Sequence, residues 1–207
     1  EKPFTAEWRA VEGSKYYNSP VLYKENGFKK KEDAERLIGE LSAEPAGPAT
    51  VIGIEKKKEN KNAPLLYNLA ELQNDCSKYF KISPDETLRI VQELYEKKMT
   101  TYPRTDARVL STAVAKEIHK NIGGLRNYAL AAPFAKEVLE QGAYKNIAKT
   151  RYVNDKQITD HYAIIPTGQG LNNLAGLAPT AAKVYEVIVR RFLSIFYPPA
   201  VYQKFSL

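Results

Sequence analysis

The hydrophobic periodicity of this chain changes twice, and these changes limit its possible folds more than any other feature. Ahead of Pro64, apolar and polar residues alternate, as over 4–10, which predicts strands with one buried face. Between 64 and 194, apolar residues recur every three or four positions, which predicts amphipathic helices. The strand pattern returns near the end, after Pro198 and Pro199. The two ends should therefore form one β-rich part, with a helical part inserted between them.

The predicted fold class is α+β, with a β-rich segment at 1–63, completed by 195–207, and an inserted, mostly helical domain at 64–194. Capping residues and prolines mark where the helices begin, and glycines or prolines mark where most of them end. The expected elements are strands at 4–10, 15–24 and 49–55, and helices at 31–43, 68–80, 83–98, 111–124, 133–141 and 180–196. The final strand pattern stops abruptly at Leu207, so we expect a chain cut from something longer.

Apolar stripes on these helices predict which residues face a core. A stripe at helical spacing buries its members against a neighbouring element. We therefore expect Ala34, Leu37, Ile38 and Leu41 to share one stripe of the first helix. Burial is expected on the helix at 83–98 for Leu88, Val91, Leu94 and Tyr95, and on the helix at 180–196 for Val184, Tyr185, Ile188, Phe192 and Ile195. The lysine-rich run at 56–62 is typical of a solvated strand edge, with a phosphate-contacting edge as the alternative.

Composition excludes several classes of protein. The single cysteine, Cys76, rules out an internal disulfide framework and a multi-cysteine zinc site, and it fits a reducing, cytoplasmic compartment. The longest near-apolar stretch, 128–135, has eight residues and contains a proline, so no membrane span is expected. Lysine and arginine total 31 against 24 acidic residues, a net charge of +7 that suits an anionic partner, above all nucleic acid.

The stretch around Tyr102 carries the most informative chemistry. If it is extended, Tyr102, Arg104 and Asp106 share one face. A phenol has a pKa of about 10, so it needs a nearby cation to become a nucleophile. The guanidinium of Arg104 can stabilise the phenolate and hold two phosphate oxygens, while Asp106 orients it. The alternative is a packing residue, because the chain has 14 tyrosines and most tyrosines are half-buried.

A second candidate is His161, which lies between polar residues and leads into an apolar turn that ends at Pro166. An imidazole in such a place can donate to a phosphate or act as a general acid. The alternative is a histidine that is hydrogen-bonded to a loop carbonyl. His119, between lysines on a predicted helix, is more simply a surface residue.

Residues 101–106, Thr-Tyr-Pro-Arg-Thr-Asp, resemble the active-site signature of the type IA DNA topoisomerases, especially the topoisomerase III branch. Other stretches agree in the same order. The helices from 66–73 to 94–96 resemble those ahead of the family's tyrosine, 160–167 resembles its histidine motif, and 189–200 resembles the return to its arch. The β-rich segment is thereby identified with part of the arch.

The resemblance implies a role for each matching residue. Tyr102 would be the nucleophile that attacks a single-stranded DNA phosphodiester and becomes linked to the 5′-phosphate. Arg104 would clamp that phosphate and stabilise the transition state, and His161 would contact DNA phosphate. Thr105 and Asp106 would be supporting residues. The phosphotyrosine link stores the bond energy, so rejoining would need no ATP while another strand passes through the gap.

Two departures from the family pattern stand out. Tyr162 occupies the position where this branch often has a second histidine, and a phenol donates a hydrogen bond but carries no positive charge. The family's Mg²⁺-binding domain lies upstream, and this chain has no Asp-x-Asp motif. We therefore expect no metal site here, with Mg²⁺ implied only for the full-length enzyme.

The expected partners are single-stranded DNA and the missing N-terminal metal-binding domain, in a nucleoid-associated enzyme. Without that domain, the chain should bind DNA weakly and cleave it poorly.

Tyrosine recombinases and initiator nucleases also form a phosphotyrosine link with DNA, but recombinases carry their tyrosine near the C-terminus and initiators need a histidine-pair motif. A non-catalytic nucleic-acid-binding module, in which Tyr102 and Arg104 only pack or touch phosphate, is the alternative from another class.

Overall fold

The computed structural model describes residues 5–43, 50 and 53–206. Helices and short strands both occur, which confirms the predicted α+β class. The chain forms two compact units, Glu1–Glu55 with Phe205–Leu207, and Lys56–Lys204. The boundaries drawn from the sequence, after 63 and before 195, remain predictions. No helix within the described residues is both long and apolar enough to span a bilayer.

The first unit contains a small hairpin followed by a helix. Strands β1 (Leu22–Lys24) and β2 (Gly27–Phe28) pair antiparallel across a two-residue turn, and helix α1 (Lys31–Ser42) follows. The rings of Trp8, Tyr16 and Phe28 pack together with centroids 5.2 to 5.9 Å apart. This aromatic cluster supplies much of the apolar contact in the described part of the unit.

Several expectations for this unit were wrong. Residues 5–10 form no strand, and Phe4 lies outside the described residues. Only the last part of 15–24 is a strand, namely β1. Ile38 and Leu41 are exposed on α1, which has no buried residue. Of the expected strand at 49–55, positions 49, 51 and 52 lie outside the described residues, and 50, 53 and 54 form no strand. The strand found there begins at the last position: β3 (Glu55–Lys61), exposed throughout and paired with β4 (Ala200–Ser206).

The second unit is mainly helical, as the sequence predicts. Its helices are α2 (Leu69–Phe80), α3 (Pro84–Glu96), α4 (Thr112–Gly124), α5 (Ala132–Gln141) and α6 (Pro179–Ser194). Short 3₁₀ turns occupy Leu125–Asn127, Ala143–Lys149, Asp155–Gln157 and Leu171–Gly176. The predicted capping residues begin the first three of these helices, because a side-chain oxygen of each accepts from the amide three residues on: Asn68, Ser83 and Ser111.

Helix α6 lies at the centre of the core of this unit. Seven of its side chains are buried, at the spacing that the sequence predicts: Ala181, Val184, Tyr185, Ile188, Val189, Phe192 and Leu193. They belong to one apolar cluster with buried residues of α2, α3, α4 and α5. The irregular segments at 97–110 and 161–170 also contribute to that cluster, so the candidate site residues on them rest on a packed support.

Candidate active-site cleft

The backbone next to Tyr102 is fixed by hydrogen bonds to a neighbouring segment. Thr101 N donates to Ile165 O at 3.0 Å, and Thr101 Oγ1 donates to Ala163 O at 2.9 Å. The same hydroxyl accepts from Ile165 N at 3.0 Å. These three hydrogen bonds of Thr101 therefore fix the position of the backbone immediately before Tyr102.

Thr105 performs the same task on the other side of Tyr102. Its buried hydroxyl donates to His161 O at 3.1 Å and accepts from Ala107 N at 3.1 Å. Its carbonyl accepts from Leu69 N at 3.2 Å, at the start of α2. One side chain thus joins the tyrosine segment directly to the backbone of the histidine segment, and this brings Tyr102 and His161 together.

The ring of Tyr102 contacts two other rings. The imidazole of His161 is 4.3 Å away between centroids, tilted by 36°, and the ring of Tyr95 is 5.4 Å away between centroids, nearly perpendicular at 83°. Tyr102 is half-buried and His161 is exposed. Tyr95, which the sequence predicted as a core residue, is instead 39% exposed at the end of α3. Its helical spacing placed it on the inner stripe, but it lies at the edge of that stripe and turns towards Tyr102.

Tyr102 forms part of the wall of an open cleft of about 520 Å³. The cleft is lined by polar and aromatic side chains from three segments: Tyr95, Glu96, Lys98, Thr100, Thr101, Tyr102, His161, Tyr162, Thr167 and Gln169. A phenol ordinarily has a pKa of about 10 and is protonated at neutral pH, and burial raises the pKa of Tyr162 further, so this phenol can donate a hydrogen bond into the cleft.

Arg104 and Asp106 lie on the exposed face of the tyrosine segment. Burial alternates there, with Pro103, Thr105 and Ala107 inside and Arg104 and Asp106 outside, which is the alternation predicted for an extended stretch. A tight turn around Arg104 is closed by Thr105 N donating to Pro103 O at 3.1 Å. Within the described residues, no ion pair joins Arg104 to Asp106, and neither side chain lines the cleft. The Arg104 guanidinium is therefore available to a ligand.

A second tyrosine and arginine meet in the helical unit, at a place that no local sequence pattern marks. Tyr67 OH donates to Asp75 Oδ2 at 2.5 Å, and Arg191 Nη2 donates to the same oxygen at 2.9 Å. Arg191 Nη1 also donates to Leu65 O at 2.9 Å, and its guanidinium lies 4.0 Å from the Tyr67 ring centroid. Burial, followed by the bond to Asp75, raises the pKa of Tyr67 well above its usual range. This phenol stays protonated and serves the fold.

The sequence profile of the DNA topoisomerase family matches residues 4–207, nearly the whole chain. This chain belongs to the DNA topoisomerase family. The tyrosine signature at 101–106 agrees with that match, and the predicted type IA, topoisomerase III-like membership is confirmed.

Similar proteins point to the same branch of the family. The chain is 36% identical over 185 residues to DNA topoisomerase 3 of Bacillus cereus, a match of 88% of this chain and 24% of that relative. It is 36% identical over 170 residues to DNA topoisomerase 3 of Bacillus subtilis, covering 82% and 22%. The chain thus spans about a quarter of the length of the curated relatives. Its fold resembles full-length topoisomerase I of Thermotoga maritima, with a TM-score of 0.55 and 21% identity over 88% of this chain and 28% of that one.

The topoisomerase resemblance implies Mg²⁺, and the described residues do not fit that ion. No three histidine, cysteine, aspartate or glutamate side chains cluster within 5–43, 50 and 53–206. The cleft offers one carboxylate, Glu96, whereas Mg²⁺ in proteins is bound through carboxylates, substrate oxygens and water in octahedral geometry. We derive no step through a metal from these residues.

Proposed function

We propose that this topoisomerase chain cleaves and rejoins single-stranded DNA, with Tyr102 as the nucleophile that becomes linked to the 5′-phosphate. One observation carries the proposal. The phenol of Tyr102 stands in the wall of an open polar cleft, 4.3 Å from the His161 ring, while the residues on both sides of it are anchored by hydrogen bonds. A fixed backbone with an accessible reactive group is what nucleophilic catalysis requires.

The proposed step exchanges one phosphodiester for another. The Tyr102 oxygen attacks the phosphorus and loses its proton, the bond from phosphorus to the 3′ oxygen breaks, and that oxygen leaves as a hydroxyl after taking up a proton. We propose that His161, whose ring lies 4.3 Å from the Tyr102 ring between centroids, takes up the proton of the phenol and passes it to the leaving oxygen. The reverse attack by the 3′ hydroxyl restores the strand without ATP, because no bond energy is lost.

Arg104 is proposed to bind the attacked phosphate. Its guanidinium is exposed, has no hydrogen bond or ion pair in the described part of the chain, and lies two residues from the nucleophile. A planar fork of donors can hold two phosphate oxygens and stabilise the charge that develops on them. Thr105 positions the segment that carries Tyr102 and Arg104. Asp106 remains a supporting residue on the exposed face of that segment. The phenol of Tyr162, which lines the same cleft, supplies a donor without charge.

The remaining parts of the activity are proposed to come from partners. Single-stranded DNA is the substrate, and a metal-binding domain of the type found in the family supplies Mg²⁺. Strand passage would need the arch as a whole, and action on the chromosome would place the enzyme at the nucleoid. The 207-residue chain by itself should form little covalent product, because its described residues offer no cluster that fits the metal.

Covalent trapping tests the nucleophile directly. The chain is fused behind the metal-binding domain of a DNA topoisomerase 3 and incubated with Mg²⁺ and a single-stranded oligonucleotide labelled at its 3′ end. We expect a labelled protein band on a denaturing gel, absent from Tyr102→Phe and present in Tyr79→Phe, which changes an exposed tyrosine remote from the cleft lining. A band that survives Tyr102→Phe, or no band from the unmodified fusion, would favour a non-catalytic nucleic-acid-binding module.

A further inference from the structure

Helix α3 ends in a backbone conformation that normally requires glycine. Lys98 has φ of +60°, and two hydrogen bonds close the turn around it: Met99 N donates to Leu94 O at 2.9 Å, and Lys98 N donates to Tyr95 O at 2.8 Å. This is a Schellman ending, in which the left-handed position favours glycine because a β-carbon meets the neighbouring carbonyl. A lysine here is strained.

Neighbouring residues hold Lys98 in this conformation. Thr167 Oγ1 donates to Lys98 O at 2.5 Å, and Asn173 Nδ2 donates to Lys97 O at 3.3 Å. The backbone of Gly170 packs so closely that a β-carbon there would lie 2.3 Å from Lys97 O. The turn is thus fixed from outside the helix, and strain that persists because its surroundings enforce it often marks a functional position.

The Lys98 side chain lies in the wall of the cleft that contains Tyr102 and His161. It is exposed and makes no hydrogen bond or ion pair in the described part of the chain, whereas the adjacent Lys97 pairs with Glu93 at 3.5 Å. Among the described residues that line the cleft, it is the one lysine or arginine. Lys98 therefore brings a free ammonium to the cleft that Tyr102 also lines, at the end of α3.

Lys81 is the comparison for Lys98, because it also ends a helix with a positive φ but lies away from the cleft. It ends α2 with φ of +58°, it is exposed, and it does not line the cleft. The helix dipole favours a lysine at the C-terminal end of a helix, and both Lys81 and Lys98 lie at such an end. The dipole applies equally to Lys81 and Lys98, so it does not account for what distinguishes them, which is the position of Lys98 at the cleft.

We propose that the ammonium of Lys98 binds a backbone phosphate of the single strand that enters the cleft, next to the phosphodiester that Tyr102 attacks. The proposal rests on the function proposed above and adds a binding residue that lies outside the tyrosine and histidine motifs. Ammonium groups bind phosphates as point charges and release counterions, so the contact acts on any sequence and weakens with salt.

Paired glycine variants test the contact. Lys98→Gly and Lys81→Gly each remove one charge and one strained β-carbon, so both should melt at a higher temperature than the unmodified chain. Binding of a fluorescent oligothymidylate to the 207-residue chain is then measured by anisotropy over a range of salt concentrations. We expect Lys98→Gly to weaken binding by about three- to tenfold at low salt and to reduce the salt slope by about 0.7, while Lys81→Gly changes neither.

Two further variants complete the test. Lys98→Arg should retain most of the affinity, and Lys98→Ala should lose as much as Lys98→Gly without the gain in melting temperature. Equal binding by the unmodified chain and Lys98→Gly would overturn the role of Lys98, even if the fusion still forms its adduct at Tyr102. An adduct that survives Tyr102→Phe, with binding still dependent on Lys98, would overturn the proposed chemistry and leave the phosphate contact standing.

Discussion

The helical unit contains two sets of tyrosine, arginine and aspartate with opposite surroundings. In the core, Tyr67 and Arg191 both donate to Asp75, and the side chains of Arg191 and Asp75 are only 14% and 15% exposed. At the cleft, Tyr102 is half-buried, and Arg104 is exposed without a hydrogen bond or ion pair among the described residues. The side chains of the first set bind one another, whereas the Arg104 guanidinium of the second set has no protein partner among the described residues.

This contrast separates residues that support the fold from residues that we propose to act on a ligand. A buried arginine and carboxylate need each other, because either one alone would be a charge removed from water. An exposed arginine gains little from the fold and is free to meet an incoming phosphate. Residue type is the same in both places, so burial and partners decide the role. Mutations that remove one member of each set should therefore have opposite consequences for stability and for cleavage.

The largest effect is expected from Arg191→Ala. It leaves the buried carboxylate of Asp75 without its cation and removes the donor to Leu65 O, so the free energy of unfolding should fall by about 3–5 kcal/mol. Urea denaturation of the chain measures this. Arg190→Ala is the matched control, because Arg190 is 72% exposed and its pair with Glu186 should contribute less than about 1 kcal/mol. Equal losses for the two variants would show that the core set is not structural.

Arg104→Ala should leave the stability almost unchanged and slow the formation of the covalent adduct. Since the Arg104 guanidinium has no partner in the described part of the chain, its removal should change the free energy of unfolding by less than about 0.5 kcal/mol. If it stabilises the attacked phosphate, the rate of adduct formation by the fusion protein should fall by about 10²- to 10³-fold. Arg89→Ala, an exposed arginine on α3 outside the cleft, serves as the control for charge. An unchanged rate for Arg104→Ala would remove Arg104 from the proposed mechanism.

The sequence was most informative where structure is set by neighbouring residues. Asn68, Ser83 and Ser111 cap their helices as predicted, because a cap depends on residues only three positions apart. The buried stripe of α6 was also predicted, since helical spacing alone defines it. Burial also alternates from Pro103 to Ala107 as period two predicts, although the tight turn at Arg104 means that the backbone there is not a continuous extended strand.

Contacts between distant residues were not predictable in the same way. An apolar stripe shows which face is suited to burial but not whether anything covers it, and Ile38 and Leu41 are exposed for that reason. The approach of Arg191 to Tyr67 joins residues more than a hundred positions apart, and nothing in the local pattern of α6 specifies it. Thr105, which the family resemblance marked only as a supporting residue, gains its physical role from a bond to His161 O.

The smallest effect comes from one substitution made at both tyrosines. Tyr67→Phe removes the donor to Asp75, which keeps Arg191, so the free energy of unfolding should fall by about 1–2 kcal/mol. Tyr102→Phe should change it by less than about 0.5 kcal/mol, since no hydrogen bond of its hydroxyl occurs within the described residues. Denaturant melts of both variants at neutral pH give the difference directly.

Alkaline pH sharpens that comparison. The pKa of Tyr67 is raised in the folded state, so above about pH 10 the unfolded chain releases a proton that the folded chain keeps, and stability falls as pH rises. Tyr67→Phe should lose less stability than the unmodified chain between neutral pH and the alkaline range. If Tyr67→Phe follows the unmodified curve instead, the buried phenol does not couple folding to pH, and its proposed structural role loses this support.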